Sequence, residues 1–483
     1  MARKTIDVDS PPNIRLAMAT AFEDIDANFI ELYNRISFGN TSVRAVTVGP
    51  GGNYSTLEDA VSAVGLRWVT SKQMPNYTGP WPDKPEFIAT FTNGSADFAY
   101  VSGQTFTGSA GLLGQEFIKI GTKYYRVKDC SSTTAGELFG PFQGVTGDYT
   151  CTPLLLDWVT IMLLPGSHSS YTDLARLQPG TVLSGFSKET TSLVEDSSGA
   201  AFAFGPMTKM VNLSLEPNIL FGSMDRLYYE DALIGGDTTN LYPYGCEVRI
   251  DKCKIVNADE RGPHAGGNIG WPTVTGGLFA FTNSELGFGN NAGALSGGGE
   301  AGITSRILLS NITTRWFKGN GNPLQLAFIN DSYNAFVGPM QIDVVNCFTD
   351  FEDFLFNPSI AAPLSIFTIA DANTTLNITG GLHSIVNNNA AAGAGEFPAA
   401  VVCYGGTVNV QGGAVLEATG STVSGANQGT GVYNAGGTVN VRSGSRVKGD
   451  TNKAINNASG TVNVSPNADV IGGTTGVITA TAT

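Results

Sequence analysis

The sequence has little charge, few histidines and no long apolar run. Only 14% of its 483 residues are charged, and the formal net charge is −14. Nucleic acids and anionic membrane surfaces repel a protein with such an excess of negative charge, so we expect neither as a partner. The longest apolar segment, 154–164, is interrupted by Asp157 and is too short to cross a bilayer. We therefore expect no membrane insertion.

Secretory and metal-binding signals are also missing from the sequence. The first residues are basic, but no apolar run follows them, which predicts a soluble protein that is made in a cytosol. The cysteines show no metal-ligand spacing, so we expect reduced core residues and no metal site. The six are Cys130, Cys151, Cys246, Cys253, Cys347 and Cys403.

The common motifs of nucleophilic and nucleotide chemistry are absent. No G-x-S-x-G, P-loop or dinucleotide-binding motif occurs in a suitable context. The three histidines, His168, His264 and His383, lie far apart, and we predict that each is a loop residue. We accordingly expect no cofactor and no histidine-based catalytic site.

Glycine, in contrast, is abundant, with 61 residues. Gly51-Gly52 precedes a short helical pattern in which Ser55 and Glu58 form a capping box. The apolar residues of this pattern share one face of the helix, and they are Leu57, Ala60, Val61 and Val64. So short a helix is not stable alone. We predict that the segment 41–67 is an entry strand followed by a helix that covers the end of a repetitive array.

The segment Gly51-Gly52-Asn53-Tyr54-Ser55-Thr56-Leu57 resembles the amino-terminal entry of right-handed parallel β-helix proteins. This family includes pectin esterases, pectate lyases and phage tailspikes. The segments 158–166 and 177–185 are similar to the first coil of its esterase-like members. The resemblance implies a mainly β fold: a right-handed parallel β-helix solenoid with a short N-terminal α-helix and a small β insertion. The catalytic motifs of the esterases and lyases are missing, so no activity is implied.

A second helix is predicted near the amino terminus. Its apolar residues alternate at spacings of four and three, as in a coiled-coil seam, and they are Met18, Phe22, Ile25, Phe29, Leu32 and Ile36. Three copies of the chain can wind together through this seam, or one helix can pack against another protein. Residues 14–33 resemble the virion-proximal segment of tailed-phage fibre and baseplate proteins. This resemblance implies that 1–40 is a virion-anchoring segment that docks to phage tail or baseplate proteins.

Residues 68–156 are predicted to form a small β insertion domain. Four prolines between Pro75 and Pro85 interrupt regular structure, and apolar residues alternate on both sides of Gly121-Thr122, which indicates a hairpin. The aromatic side chains Trp81, Tyr100 and Tyr124 have two interpretations: contacts with sugars, or the core of a small domain.

A repeat dominates the rest of the chain. A strand with a central polar residue, usually asparagine, recurs every 23 to 40 residues from Asn212 to Asn463. Such a period is typical of a solenoid, and we predict a parallel β-helix over 157–464 and a carboxy-terminal tail over 465–483. We interpret the asparagines as a stacked amide ladder at a strand end or turn.

The long interval before the second repeat is rich in acidic and aromatic residues. Its candidate glycan-contacting residues are Tyr228, Tyr229, Glu230, Asp231, Tyr242 and Tyr244. Other nearby carboxylates are Asp225, Asp237, Asp251, Asp259 and Glu260. Polysaccharide-cleaving enzymes use paired carboxylates as acid and base, so this region is also a candidate depolymerase site. No individual catalytic residue is identified.

The resemblances together imply a phage tail spike or fibre that attaches the virion to host surface polysaccharide. The chain would be a homotrimer of the virion tail, assembled in the host cytoplasm. One alternative is a glycosidase or lyase on the same β-helix, so enzymatic activity is left open. A second alternative is a structural connector of the tail that does not contact the host.

Overall fold

The computed structural model describes most of the repetitive part of the chain. The described residues are 44–64, 68–69, 86–103, 117–121, 123–129, 134–156, 158–170, 180–195, 207–215, 247–256, 277–288, 304–316, 329–330, 339–352, 364–386, 397–420, 428–451 and 453–480. The amino-terminal helix predicted from Met18 to Ile36 lies outside them. Within them, no helix is both long and apolar enough to span a bilayer.

The first part of the described chain holds one helix and eight strands. These are β1 (Arg44–Val48), α1 (Leu57–Val64), β2 (Trp68–Val69), β3 (Phe87–Phe91), β4 (Asp97–Gly103), β5 (Phe117–Ile120), β6 (Lys123–Asp129), β7 (Ala135–Leu138) and β8 (Gly147–Leu156).

The remaining strands are short and follow one another at repeating intervals. The first twelve are β9 (Val159–Leu163), β10 (Gly166–Ser170), β11 (Thr181–Gly185), β12 (Thr191–Glu195), β13 (Thr208–Val211), β14 (Ser214–Leu215), β15 (Glu247–Asp251), β16 (Lys254–Val256), β17 (Leu278–Thr282), β18 (Glu285–Phe288), β19 (Ser305–Ser310) and β20 (Thr313–Trp316). They are followed by β21 (Ile329–Asn330), β22 (Met340–Val345), β23 (Phe348–Glu352), β24 (Leu364–Ile369), β25 (Thr374–Thr379), β26 (Leu382–Val386), β27 (Pro398–Cys403), β28 (Thr407–Gln411), β29 (Val415–Thr419), β30 (Thr430–Val441), β31 (Arg446–Lys448), β32 (Ile455–Val464), β33 (Asp469–Ile471), β34 (Thr474–Thr475) and β35 (Thr479–Ala480).

These strands form three parallel sheets. The first sheet contains β1, β9, β11, β13, β15, β17, β19, β22, β25, β28, the second halves of β30 and β32, and β35. The second contains β10, β12, β14, β16, β18, β20, β23, β26, β29, β31 and β33. The third contains β21, β24, β27, the first halves of β30 and β32, and β34.

From β22 onward the chain passes through the three sheets in a fixed order. β22, β23 and β24 lie in the first, second and third sheets, and each pairs with the strand three positions later along the chain. The protein is therefore mainly β, with long parallel sheets compatible with a β-helix or solenoid. At ~4.8 Å between strands, the first sheet extends over about 60 Å.

Apolar side chains stack in the interior because each strand alternates inward and outward residues. One row is continuous through five strands of the first sheet, and it consists of Ile342, Leu376, Val408, Val439 and Val462. All five are essentially fully buried. Burial of such a side chain contributes ~1.5–3 kcal/mol, so this row is a main source of stability.

Helix α1 lies over the first strands of the stack, against β1, β9 and β10. Leu57 and Ala60 are buried in the same core as Val48 and Leu163. A cap at Ser55 predicts that the helix begins at Thr56, but the helix begins at Leu57. Thr56 caps it instead: its hydroxyl accepts a bond of 3.2 Å from the backbone N–H of Asp59 and donates to the Asp59 carboxylate at 2.7 Å.

The turn before α1 is held against β1. Asn53 and Thr47 exchange hydrogen bonds of 2.9 and 3.0 Å. A side chain at Gly52 would collide with the backbone of Thr47, with a Cβ–O distance of 2.8 Å. This close approach requires glycine at position 52.

Strands β3 to β8 form a separate antiparallel sheet. The strands pair in the order β8, β3, β4, β7, β6, β5 and back to β8, so six strands close into a ring. Phe91, Phe98 and Phe142 form the aromatic part of its core. The predicted hairpin is present as β5 and β6, with Ile120 opposite Lys123. Tyr100 and Tyr124 pack against core clusters, which supports the core interpretation, and Trp81 lies outside the described residues.

The antiparallel ring contacts the parallel sheets through a partly buried ion pair. Arg126 of β6 donates to the Glu247 carboxylate of β15 at 3.1 Å, and the Arg126 side chain is 1% exposed. Phe117 of β5 belongs to the core cluster of the parallel sheets. The positions of the domain boundaries themselves stay a prediction.

The repeated asparagines occupy two different structural positions. One series lies at the turns between the first and second sheets, where Asn212, Asn283, Asn311 and Asn346 have positive φ. The other lies in the middle of first-sheet strands, where Asn377, Asn409, Asn440 and Asn463 are in register. The predicted position at a strand end or turn is right for the first series and wrong for the second.

The mid-strand series is a continuous amide ladder. Each asparagine donates its Nδ2–H to the side-chain oxygen of the preceding repeat at 2.8 Å. The first acceptor is the carboxylate of Asp343, which also accepts from Gln341 and Arg306. All donors of the ladder therefore point towards the amino-terminal end of the stack.

Candidate functional site

The sites predicted from the sequence lie mostly outside the described residues. This applies to the whole glycan-contacting group from Tyr228 to Tyr244 and to the anchoring residues from Met18 to Ile36. It also applies to Asp225, Asp237, Asp259 and Glu260. Their predicted roles stay predictions.

Asp251 is the one predicted carboxylate within the described residues. Its Oδ1 accepts from the Thr282 hydroxyl at 2.7 Å and from the Asn283 amide at 2.9 Å. The side-chain carbonyl oxygen of Asn283 accepts in turn from the side-chain N–H of Asn311 at 3.0 Å. Asp251 thus begins a short ladder at the turns, and its contacts indicate a structural role rather than acid catalysis.

The two described histidines are strand residues, so the loop prediction is wrong for both. His168 lies on β10, and its Nε2 is 2.7 Å from the Leu164 carbonyl oxygen. His383 lies on β26, where its Nδ1 is 3.2 Å from the Thr349 hydroxyl and its Nε2 has no partner within the described residues. Burial lowers the pKa of His383 to about 3, so the ring is neutral at pH 7.

The four described cysteines are buried, which confirms the core interpretation for them; they are Cys151, Cys253, Cys347 and Cys403. Burial raises the pKa of Cys151 and Cys253 to about 12, so these thiols are protonated at neutral pH and poorly reactive. In the described part of the chain, no three His, Cys, Asp or Glu side chains are grouped as a metal site would need.

Three aromatic side chains gather on the outside of the third sheet, and we name Phe397, Tyr404 and Tyr433 the aromatic flank. The ring centroids of Phe397 and Tyr433 are 5.1 Å apart, and those of Tyr404 and Tyr433 are 6.5 Å apart, both in edge-to-face geometry. Tyr404 is 42% exposed. Burial and the neighbouring Tyr433 raise the pKa of Tyr404, so its hydroxyl keeps its proton at neutral pH.

The aromatic flank rests on a rigid support. Tyr404 directly follows β27, and its backbone N–H donates to the Ile369 carbonyl of the preceding repeat at 2.7 Å. Tyr433 lies within β30, which pairs with strands on both sides. The rings are therefore held at fixed positions by two neighbouring strands.

Polar groups continue the same surface towards the carboxy-terminal end. Tyr433 is in register with Asn456, and Asn456 with Thr475. The side-chain carbonyl oxygen of Asn456 accepts from the Thr475 hydroxyl at 3.0 Å. The side-chain N–H groups of Asn456 have no partner within the described residues. The exposed Tyr404, the partly exposed Tyr433 and the amide of Asn456 beside them suit a saccharide, whose ring has apolar faces and hydroxyl edges.

The aromatic flank was not predicted from the sequence. Tyr404 and Tyr433 are isolated aromatics in glycine-rich repeats, separated by 29 positions, which is close to the length of one repeat. Two aromatic residues at this separation are expected on the same side of neighbouring repeats. This spacing is the feature of the sequence from which the aromatic flank could have been predicted.

Comparisons of the chain with protein-family models, with curated proteins and with solved structures found no match. The geometry of the chain itself is therefore the basis for a functional proposal.

Proposed function

We propose that this chain is a tail spike or fibre of a tailed bacteriophage that attaches the virion to polysaccharide on the host surface. In this proposal the parallel sheets are a right-handed β-helix, the chain assembles as a homotrimer, and the segment 1–40 docks to the tail. Parallel strand crossovers are right-handed in nearly all proteins, which supports the handedness.

The observation that carries the proposal is the aromatic flank. Tyr404 and Tyr433 lie on a rigid, elongated stack and expose ring surface beside the amide of Asn456. A long stack of parallel strands gives a virion a stiff arm, and aromatic rings on its side give that arm a surface on which sugar rings can pack.

The test is binding of the full chain to an array of bacterial capsular polysaccharides and lipopolysaccharides. We expect at least one polysaccharide to bind, and Tyr404→Ala and Tyr433→Ala each to weaken binding by about tenfold, the size of a moderate contact at a binding surface. Phe186→Ala is the matched control, because Phe186 is 54% exposed on a turn between β11 and β12.

The outcomes separate the proposed function from its alternatives. Release of reducing ends from a bound polysaccharide indicates a glycosidase, and additional ultraviolet absorbance from unsaturated sugars indicates a lyase. Binding without products indicates an adhesin. Absence of binding across the array contradicts the proposal and favours a structural connector of the tail.

A further inference from the structure

A second group of residues outside the aromatic flank brings positive charge together. Lys209 of β13 and Arg249 of β15 are register partners on neighbouring strands of the first sheet, so their backbones are ~4.8 Å apart. The Lys209 ammonium lies 4.5 Å from the centre of the Trp158 ring. We name Trp158, Lys209 and Arg249 the cationic site.

The carboxylate nearest to this site is already shared by two arginines. Glu247 accepts from Arg126 through Oε1 at 3.1 Å and pairs with Arg249 through Oε2 at 2.9 Å. Lys209 makes no ion pair with any residue that the structure describes. Among the residues that the structure describes, the three cations Arg126, Lys209 and Arg249 therefore lie around the one carboxylate of Glu247.

This arrangement is unfavourable for the protein alone. Like charges directly opposite each other on neighbouring strands destabilise a sheet. Burial, together with the positive charge of Arg249, lowers the pKa of Lys209. The site also stands out on a chain whose formal net charge is −14. A bound anion would offset the repulsion between Lys209 and Arg249.

We infer that the cationic site binds a carboxylate group of an acidic polysaccharide. The Arg249 side chain is 46% exposed, and its Nε and Nη2 already contact Glu247 Oε2 at 2.9 Å. The end of the guanidinium, with Nη1, is the part that would donate to the carboxylate of a ligand. The Lys209 ammonium supplies a second charge at a position that the Trp158 ring holds by a cation–π contact. This inference rests on the proposed function and names the chemical class of its ligand.

A single carboxylate fits this site better than a nucleic acid does. Binding of DNA involves many phosphates along an extended positive surface, whereas this site consists of two cationic side chains, Lys209 and Arg249. Beyond a Debye length of ~8 Å, salt screens the negative charge of the rest of the chain, so a short-range contact with one acidic sugar is possible. The binding we infer is therefore local and sensitive to salt.

The test compares a polyuronate with the same polymer after reduction of its carboxyl groups. We expect the full chain to bind the polyuronate more tightly, and Lys209→Met to weaken that binding about tenfold. Methionine keeps an apolar stem beside Trp158 and removes only the charge. Arg249→Gln is expected to act similarly, and both variants are expected to make the polyuronate affinity less dependent on salt.

Lys254→Met is the matched control, because Lys254 is exposed on β16 in the second sheet, and its loss is expected to leave binding unchanged. Thermal unfolding of Lys209→Met checks its fold, and we expect no loss of stability because a repulsion is removed. Equal affinity for the polyuronate and its reduced form, or wild-type affinity of the Lys209→Met/Arg249→Gln double variant, would overturn the inference.

The result also separates this inference from the proposed function. If neutral polysaccharides bind through Tyr404 and Tyr433 but the polyuronate does not bind, the inference is wrong and the proposed function stands. If no polysaccharide of either kind binds, both are wrong. Binding of an oligonucleotide that depends on Lys209, without polyuronate binding, would also overturn the inference.

Discussion

At the scale of single residues, the amide ladder has a direction that its chemistry requires. An asparagine can both donate and accept, so it can occupy any position of the ladder. An ionised aspartate only accepts, so it can serve where no donor is needed. Asp343 lies at the amino-terminal end of the ladder, where it accepts a hydrogen bond from Asn377. No ladder residue precedes Asp343, so this position needs no donor.

This direction predicts that exchange of asparagine for aspartate at the centre of the ladder is more harmful than the reverse exchange at its amino-terminal end. Asn409→Asp removes the donor to Asn377 and sets two oxygens against each other, so we expect a loss of about 1–3 kcal/mol in the free energy of unfolding. Asp343→Asn keeps an acceptor for Asn377 and loses mainly the half-exposed pair with Arg306, a loss of under about 1 kcal/mol.

Chemical denaturation at pH 7 measures both variants. Lowering the pH below about 4 is expected to narrow the difference, because the carboxyl group introduced by Asn409→Asp can donate a hydrogen bond once it is protonated. Equal losses for the two variants at pH 7 would contradict the direction of the ladder.

Another residue-scale prediction concerns His383 and pH. The imidazole is buried beside Phe367 at a centroid distance of 5.0 Å, and its native pKa of about 3 lies below the ordinary value of ~6.5 for an unfolded chain. As the pH falls below ~6.5, the unfolded chain takes up a proton that the native state excludes. The native state therefore loses stability, by about 2 kcal/mol between pH 6.5 and 5.

Substitution of His383 by Leu is expected to remove this part of the pH dependence, measured by denaturation at pH 7, 6 and 5. Thr349→Val is the control, because it removes the hydrogen-bond partner of His383 but keeps the imidazole. If the wild type and His383→Leu lose stability in parallel between pH 6.5 and 5, the histidine is not neutral and buried in solution.

At the scale of elements, the turns between the first and second sheets repeat one backbone conformation. The residue after each first-sheet strand from β13 to β28 has positive φ. After the strands from β13 to β25, the N–H of this residue donates to a carbonyl of the next repeat, as in Asn311 to Val345 at 2.9 Å. Asparagine and glycine adopt this conformation with less strain than other residues. In later repeats glycine takes the place, beginning with Gly380 at φ 67°.

Lys252 is the exception in this series, since it has φ 53° and carries a long side chain. We expect Lys252→Gly to raise the free energy of unfolding by about 0.5–1 kcal/mol, because glycine removes the strain of this conformation. Lys254→Gly, two residues later in β16, is the control and is expected to lower stability by a similar amount, since glycine weakens a strand. A loss of stability in Lys252→Gly would contradict the turn assignment.

The same turns show how far the repeat could be predicted from the sequence. Strands, turns and the stacked amides follow from local pattern, and the structure contains all three. The sequence pattern, however, aligns Asn346 with Asn377, whereas Asn377 pairs with Asp343 and Gly380 takes the place of Asn346. Asparagine suits a positive-φ turn and an amide ladder equally well, so composition cannot distinguish the two positions.

The candidate surfaces depend on contacts between distant parts of the sequence, and such contacts are difficult to predict. Arg126 and Glu247 are separated by 121 residues, and a local pattern does not show that they meet. The pairing of Tyr404 with Tyr433 depends on the length of the chain between two strands. Ser55 and Thr56 are both good cap residues, so the local pattern alone does not decide between them, and the structure places the cap at Thr56.

At the scale of the whole molecule, the parallel sheets form a stiff stack whose first strands are covered by α1. The interior row of aliphatic residues runs along the stack, and the outer surface carries the aromatic flank and the cationic site. Stability of such a stack comes mainly from contacts between neighbouring repeats. In the proposed function, this elongated stack holds the binding surfaces away from the virion.

The proposed trimer gives a direct prediction for the isolated protein. Sedimentation equilibrium of the full chain is expected to give three chain masses, because the seam from Met18 to Ile36 can join three helices. A chain that lacks residues 1–40 is expected to sediment at a lower mass or to fail to incorporate into virions. A single chain mass for the full protein would contradict the trimer, and normal incorporation of the shortened chain would contradict the anchor.

Attachment to a cell surface through sugars is the central claim, and binding of the purified full chain to intact bacteria tests it most directly. We expect saturable binding to a bacterial strain that carries the recognised surface polysaccharide and loss of binding to a strain without it. The Tyr404→Ala/Tyr433→Ala double variant is expected to bind the first strain at least about tenfold more weakly. Equal binding to both strains, or no binding to any strain of a broad panel, would contradict the claim.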